Sequence, residues 1–140
     1  MTTDALAFGE AEIEVMLANL DSFSEEEVAE IDSMVDELTT RNTNKRAYDD
    51  LIEFCKVMMP DFIVGKHHRI LADMLMAIER GEKDRICVNI PPRHGKSQLV
   101  SIFFPAWYLG RNPGKKVMMV SHTTDLAVDF GRKVRNLIAL

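Results

Sequence analysis

Eight residues carry the clearest chemical signal in this chain: Ile90-Pro91-Pro92-Arg93-His94-Gly95-Lys96-Ser97. They follow a short apolar run and open a segment of helical periodicity, the setting in which a Gly-Lys-Ser triplet cradles phosphate. Gly95 lets the backbone approach phosphate oxygens with no Cβ in the way. The N–H groups of residues 93–97 can converge on one concavity, and the helix that follows adds the positive end of its dipole. Lys96 has the reach for β- and γ-phosphates, and the Ser97 hydroxyl is a hard oxygen ligand suited to Mg²⁺. Ile90 stands where the general pattern has its first glycine. Pro91 and Pro92 have no N–H to donate, so the cradle comes from the later residues. The Arg93 guanidinium could stabilise charge beside a γ-phosphate; a solvated loop arginine is the alternative. The reading makes Lys96 and Arg93 the catalytic candidates. Arg93, His94, Gly95, Lys96, Ser97 and Gln98 are the nucleotide-binding set, with ATP and Mg²⁺ as cofactors.

These residues need elements to hold them. Arg85-Ile86-Cys87-Val88-Asn89-Ile90 is short and partly β-branched and reads as a strand, as does Lys116-Val117-Met118-Met119-Val120-Ser121. Between them the pattern predicts a helix from Lys96 to about Tyr108, closed by a turn at Asn112-Pro113-Gly114. Strand, helix and strand with a long crossover imply a parallel pair and an α/β core. Upstream, a helix over residues 66–80 carries Ile70, Leu71, Met74, Leu75 and Ile78, with Gly81 placed to cap it. Another, over residues 48–58, turns Leu51, Ile52, Cys55 and Met58 inward and stops at Pro60. Ser24 and Glu27 form a capping box for a helix over residues 24–38, whose stripe is Val28, Ile31, Val35 and Leu38. Ile13, Met16, Leu17 and Leu20 mark a further helix over residues 10–20, with a turn near Asp21–Phe23. The polar run 39–44 reads as a linker. The last helix begins at a Thr123 cap and carries Leu126, Phe130, Val134 and Leu137 almost to Leu140. A two-stranded parallel sheet leaves edges unpaired, so the chain reads as a truncated piece of a larger protein.

Composition narrows the possibilities. The chain has 140 residues, 46% of them hydrophobic, which suits a globular fold. The net charge of -5 is unevenly spread. Residues 1–47 hold 12 acidic and 3 basic side chains, and residues 48–140 hold 10 and 14. The division proposes an acidic helical segment over 1–47 and a mildly basic unit over 48–140 with different partners. No apolar run has the length of a membrane span, and the N-terminus lacks the basic and apolar regions of a secretory signal. Cys55 and Cys87 lie far apart in apolar contexts without metal-ligand spacing, and read as buried free thiols. Trp107 and Tyr108 read as core rather than a stacking platform.

With those residues on the page, the chain resembles phage terminase large subunits. RICVNIPPRHGKS (Arg85 to Ser97) looks like that family's ATPase loop. Phe62 through Gly81, with His67-His68, looks like its lead-in helix, and Val117 to Ile138 resembles its second strand and helix. The resemblance covers residues 48–140 and leaves 1–47 aside. It implies a RecA-like P-loop ATPase of the additional-strand type that drives DNA into procapsids, with a nuclease in a separate C-terminal domain. It also implies double-stranded DNA, a small subunit and a portal protein as partners. A ring oligomer and the cytoplasm of an infected bacterium follow in the same way. By resemblance Lys96 and Ser97 are triphosphate and Mg²⁺ ligands. Phe62 and His67 or His68 would border the adenine; the alternative for the histidines is a helix start with one ring buried and one wet. Ser121-His122-Thr123-Thr124 is either a helix cap or a coupling element toward nucleic acid. Lys115, Lys116, Arg132, Lys133 and Arg135 are either a phosphate-contacting patch or a solvated face.

Hydrolysis also needs an acidic pair at the end of an apolar strand. None is present, since Asp49-Asp50 lies in helical sequence upstream. The expectation is therefore binding without useful turnover by this chain, and ATPase and endonuclease activity in the full-length protein. Two alternatives stand beside this: another P-loop DNA motor such as a helicase, or a non-hydrolytic interaction module that docks through residues 1–47.

Overall fold

The computed structural model describes residue 15 and residues 23–139. The helix expected over residues 10–20, and most of the turn after it, lie outside the described residues. Contacts divide the chain into two units, Met1–Asn42 and Thr43–Leu140.

Helix α1 spans Glu25–Asp49. Its start is the expected capping box: Glu27 Oε2 accepts from Ser24 N at 2.8 Å, and Ser24 Oγ accepts from Glu27 N at 3.4 Å. The linker expected over residues 39–44 is instead helical. Thr and Asn cost only about 0.5 kcal/mol each within a helix, and extending an existing helix avoids the nucleation penalty. Ile31 is the buried member of its stripe.

In the second unit, Asp50 starts α2 (Leu51–Met58). Its Oδ1 accepts from Ile52 N at 2.7 Å and Glu53 N at 2.9 Å. Helix α3 spans Lys66–Glu79. Gly81, at φ 75, closes it. Glu82 N donates to Ala77 O at 2.9 Å and Gly81 N to Ile78 O at 3.0 Å, a paired ending that only a left-handed residue allows. The buried face of α3 is His68, Leu71, Ala72 and Leu75, while Ile70 from the expected stripe is 58% exposed. The next helical run is unbroken but not uniform: α4 (Lys96–Gln98), a π segment (Leu99–Phe103) and α5 (Phe104–Arg111). Pro105 has no N–H to give a carbonyl four residues back, and the widened turn sits beside it. Helix α6 spans Thr124–Ile138. Thr123 holds its N-cap position, but the Thr123 side chain makes no capping bond.

These helices close on one core: Leu51, Ile52 and Cys55 from α2, Phe62 from the connection, Leu71, Ala72 and Leu75 from α3, then Leu99, Phe103 and Trp107. Trp107 is core, as expected, and its Nε1 donates to the carbonyls of Ala47 at 3.0 Å and Tyr48 at 3.1 Å. Arg111 reinforces that corner. Its guanidinium lies 4.6 Å from the Tyr48 ring centre and donates to Glu79 Oε1 at 3.1 Å.

The parallel sheet expected from residues 85–90 and 116–121 is not there, and the α/β class with it. The described residues form helices and irregular segments, with no strand among them. Both runs line one cleft with Phe104, Pro105 and Phe130, yet they exchange no backbone hydrogen bonds among the described residues. Alternating apolar residues define a face, but a ladder also requires a neighbour that accepts and donates along the edge. The alternation itself survives. Ile86, Val88 and Ile90 pack on the core while Cys87 and Asn89 are exposed. Cys87 is therefore an exposed thiol, against the expectation of burial; Cys55 is buried.

Candidate functional site

The loop before α4 makes two left-handed steps. Arg93 has φ 65 and Gly95 has φ 70. A non-glycine residue in that region is held at a cost of about 1–3 kcal/mol, which the surroundings must supply. Gly95 is the N-cap of α4, and no side chain caps the turn. The first-turn N–H groups of Lys96, Ser97 and Gln98 thus keep their donor capacity at the positive end of the helical run.

Lys96 bends back across the loop, where its Nζ donates to the Ile90 carbonyl at 3.3 Å. The bond spans the whole Ile90–Lys96 segment and places the ammonium at its base. Ser97 is exposed, and its hydroxyl has no protein partner among the described residues. The described residues contain no cluster of three or more His, Cys, Asp or Glu that could hold a metal. Gln98 points elsewhere, donating from Nε2 to Met59 Sδ at 3.2 Å. Arg93 and His94 are exposed. His94 Nδ1 donates to the Pro92 carbonyl at 2.8 Å, which pins its ring against its own loop.

Phe62 and His67, expected near an adenine, do different things. Phe62 is buried between His68 (ring centres 5.0 Å apart) and Phe103 (5.6 Å), so those rings occupy its surroundings. His67 turns toward the loop, with Nε2 3.3 Å from the His94 carbonyl oxygen. The alternative reading, one histidine buried and one partly wet, describes the pair: His68 is 6% exposed and His67 half-buried.

His68, offered by the resemblance as an alternative to His67 beside an adenine, sits behind the loop instead. Its Nδ1 accepts from Gly65 N at 3.0 Å, and its Nε2 lies 3.0 Å from the His94 carbonyl oxygen. Burial lowers its pKa below the ordinary histidine value, and the neighbouring His67 and His94 add to that, while the backbones of His94 and Ile63 oppose it. A Cβ on Gly95 would meet His68 Nε2 at 2.6 Å. Gly95 is therefore glycine for two reasons, its φ and the imidazole behind it.

Away from the loop, Lys115, Lys116, Arg132, Lys133 and Arg135 are exposed. Two of them are spent on their own helix: Asp129 lies 2.7 Å from Lys133 Nζ and 3.9 Å from Arg132 Nη1. No helix among the described residues is long and apolar enough to cross a membrane.

The site is thus a loop with two left-handed steps at a helix start, with a lysine bonded across it and histidines behind it. Residues 87–140, which include that loop, match the family described as terminase large subunit, T4likevirus-type, N-terminal. The resemblance read from the sequence is borne out over that span. Comparison with curated proteins and with solved structures yields no match.

Proposed function

We propose that this chain is the ATP-binding part of a phage DNA-packaging terminase large subunit. The observation that carries the proposal is the uncapped helix start at Gly95-Lys96-Ser97, set in a left-handed loop within the segment that matches the terminase family. Free first-turn N–H groups, a lysine within the loop and an exposed hydroxyl suit a triphosphate with its Mg²⁺. Lys96 exchanges the Ile90 carbonyl for β- and γ-phosphate oxygens, a stronger charge-assisted bond. Ser97 would offer its hydroxyl as a hard oxygen ligand to the Mg²⁺ of the nucleotide. Arg93, exposed in the same loop, would neutralise charge at the γ-phosphate. The nucleotide, when bound, supplies the phosphoryl group whose hydrolysis drives translocation.

On this reading the protein works in the cytoplasm of an infected bacterium, on double-stranded DNA, with a small subunit and a portal protein. The ring assembly and endonuclease activity of the complete subunit belong to the same proposal. Lys115, Lys116 and Arg135 are the basic residues of the expected patch that have no acidic partner among the described residues. They are the ones available for phosphate contacts with DNA.

Calorimetric titration of Mg·ATP into the 140-residue chain and its Lys96→Ala variant tests the proposal. A charge-assisted bond is worth about 1.5–3 kcal/mol, so the variant loses roughly tenfold or more in affinity. Equal affinities in the two proteins, or no heat of binding in either, would reject it.

A further inference from the structure

We infer that His68 is a positioning residue for the loop: in its neutral, Nε2-protonated tautomer it holds the His94 carbonyl back against α3 and so turns the Gly95 N–H outward as a phosphate donor. The inference rests on the nucleotide-binding reading above and names the residue that sets the loop's geometry.

Hydrogen-bond logic fixes the tautomer. Gly65 N is a donor, so His68 Nδ1, 3.0 Å away, must be its acceptor and carries no proton. A neutral imidazole then bears its proton on Nε2, which points at the His94 carbonyl oxygen at 3.0 Å. That oxygen has two lone pairs, and His67 Nε2 approaches it as well, at 3.3 Å. The short distance between the two Nε2 atoms, 3.1 Å, follows from their convergence on one acceptor.

The peptide plane carries the effect forward. No peptide bond among the described residues is cis. In a trans peptide the carbonyl and the next N–H point in opposite directions. Holding the His94 carbonyl toward α3 therefore directs the Gly95 N–H away from α3. Two glycines clear the space required. A Cβ on Gly65 would meet His67 Cε1 at 2.8 Å, and one on Gly95 would meet His68 Nε2 at 2.6 Å. Phe62 backs the arrangement through its ring contact with His68. A doubly protonated His68 would put an N–H against the Gly65 N–H and open the clamp. The titratable groups that face it are His67 on its own helix and His94 of the loop.

The test uses the 140-residue chain, with inorganic tripolyphosphate as the probe. Long-range ¹H–¹⁵N correlation spectra of the wild type near neutral pH should show the His68 proton on Nε2. Calorimetry should show a roughly tenfold loss of tripolyphosphate affinity in His68→Phe, which keeps the ring but loses the donor, and affinity within about threefold of wild type in His68→Gln, whose amide can donate from the same place. A proton on Nδ1 overturns the inference, as does wild-type affinity in folded His68→Phe. If His68→Phe does not fold, His68→Gln decides: a folded His68→Gln that loses binding also overturns it. Failure of the nucleotide reading looks different, because wild type and Lys96→Ala would then both ignore tripolyphosphate while the tautomer remains measurable.

Discussion

Gly95→Ala joins two separate costs. The residue sits at φ 70. A Cβ there adds about 1–2 kcal/mol, the usual left-handed penalty. The new methyl would also lie 2.6 Å from His68 Nε2, well inside contact distance. His68 is not a loose side chain that can swing aside. It is buried and bonded to Gly65 N at 3.0 Å. Displacing it breaks that bond and the one to the His94 carbonyl, each worth about 1 kcal/mol net. The sum is about 3–4 kcal/mol, a large share of the stability of a domain this size. Urea unfolding followed by circular dichroism measures it. The two costs are separable through a double-mutant cycle with His68→Ala. With the imidazole gone, only the left-handed penalty remains, so the cycle should return a coupling of about 2 kcal/mol, the two bonds lost. A Gly95→Ala cost below about 1 kcal/mol, or a coupling near zero, would refute the claim that the glycine makes room for the histidine.

Asp50→Ala removes both bonds that start α2 and should cost about 1 kcal/mol, read in the same urea experiment; Asp50→Ser should recover most of it. Burial, with a smaller contribution from Asp50, pushes the Cys55 thiol up to about 12. Near neutral pH a thiol reagent should therefore modify the exposed Cys87 rapidly, and Cys55 only when the protein unfolds. His68 has a folded pKa below the ordinary value of about 6.5, so the unfolded chain binds the proton more readily. Its contribution to stability is complete above about pH 6.5 and is lost as pH falls from there toward the lowered folded value. Unfolding free energies measured across that range should show a slope in the wild type that is reduced in His68→Gln.

The features legible in the sequence were those with local causes. Ser24 and Glu27 make a box within four residues, Gly81 ends α3 where the left-handed step is needed, and Gly95-Lys96-Ser97 opens a helix as its glycine implies. The sheet was misread because a period-2 pattern describes only which side of Ile86, Val88 and Ile90 meets the core. It says nothing of a pairing partner. Periodicity also missed the register of α3, where His68 and Ala72 lie on the buried face and Ile70 does not. His68 was named only as an alternative adenine neighbour; its bond to the His94 carbonyl joins residues 26 apart and leaves no trace in local spacing. One signal was present all the same: Gly65 and Gly95 each stand where an imidazole needs the room. The widened turn at Leu99–Phe103 had its own marker in Pro105, a residue that the interior of a regular helix does not accommodate.

Backbone amide spectra of the ¹⁵N-labelled chain, recorded during a tripolyphosphate titration, test the central claim most directly. The largest shifts should fall on the N–H groups of Gly95, Lys96 and Ser97 and saturate together, and Lys96→Ala should weaken the response. Shifts confined to other basic surfaces such as Lys115 and Lys116, with the loop amides unmoved, would contradict it.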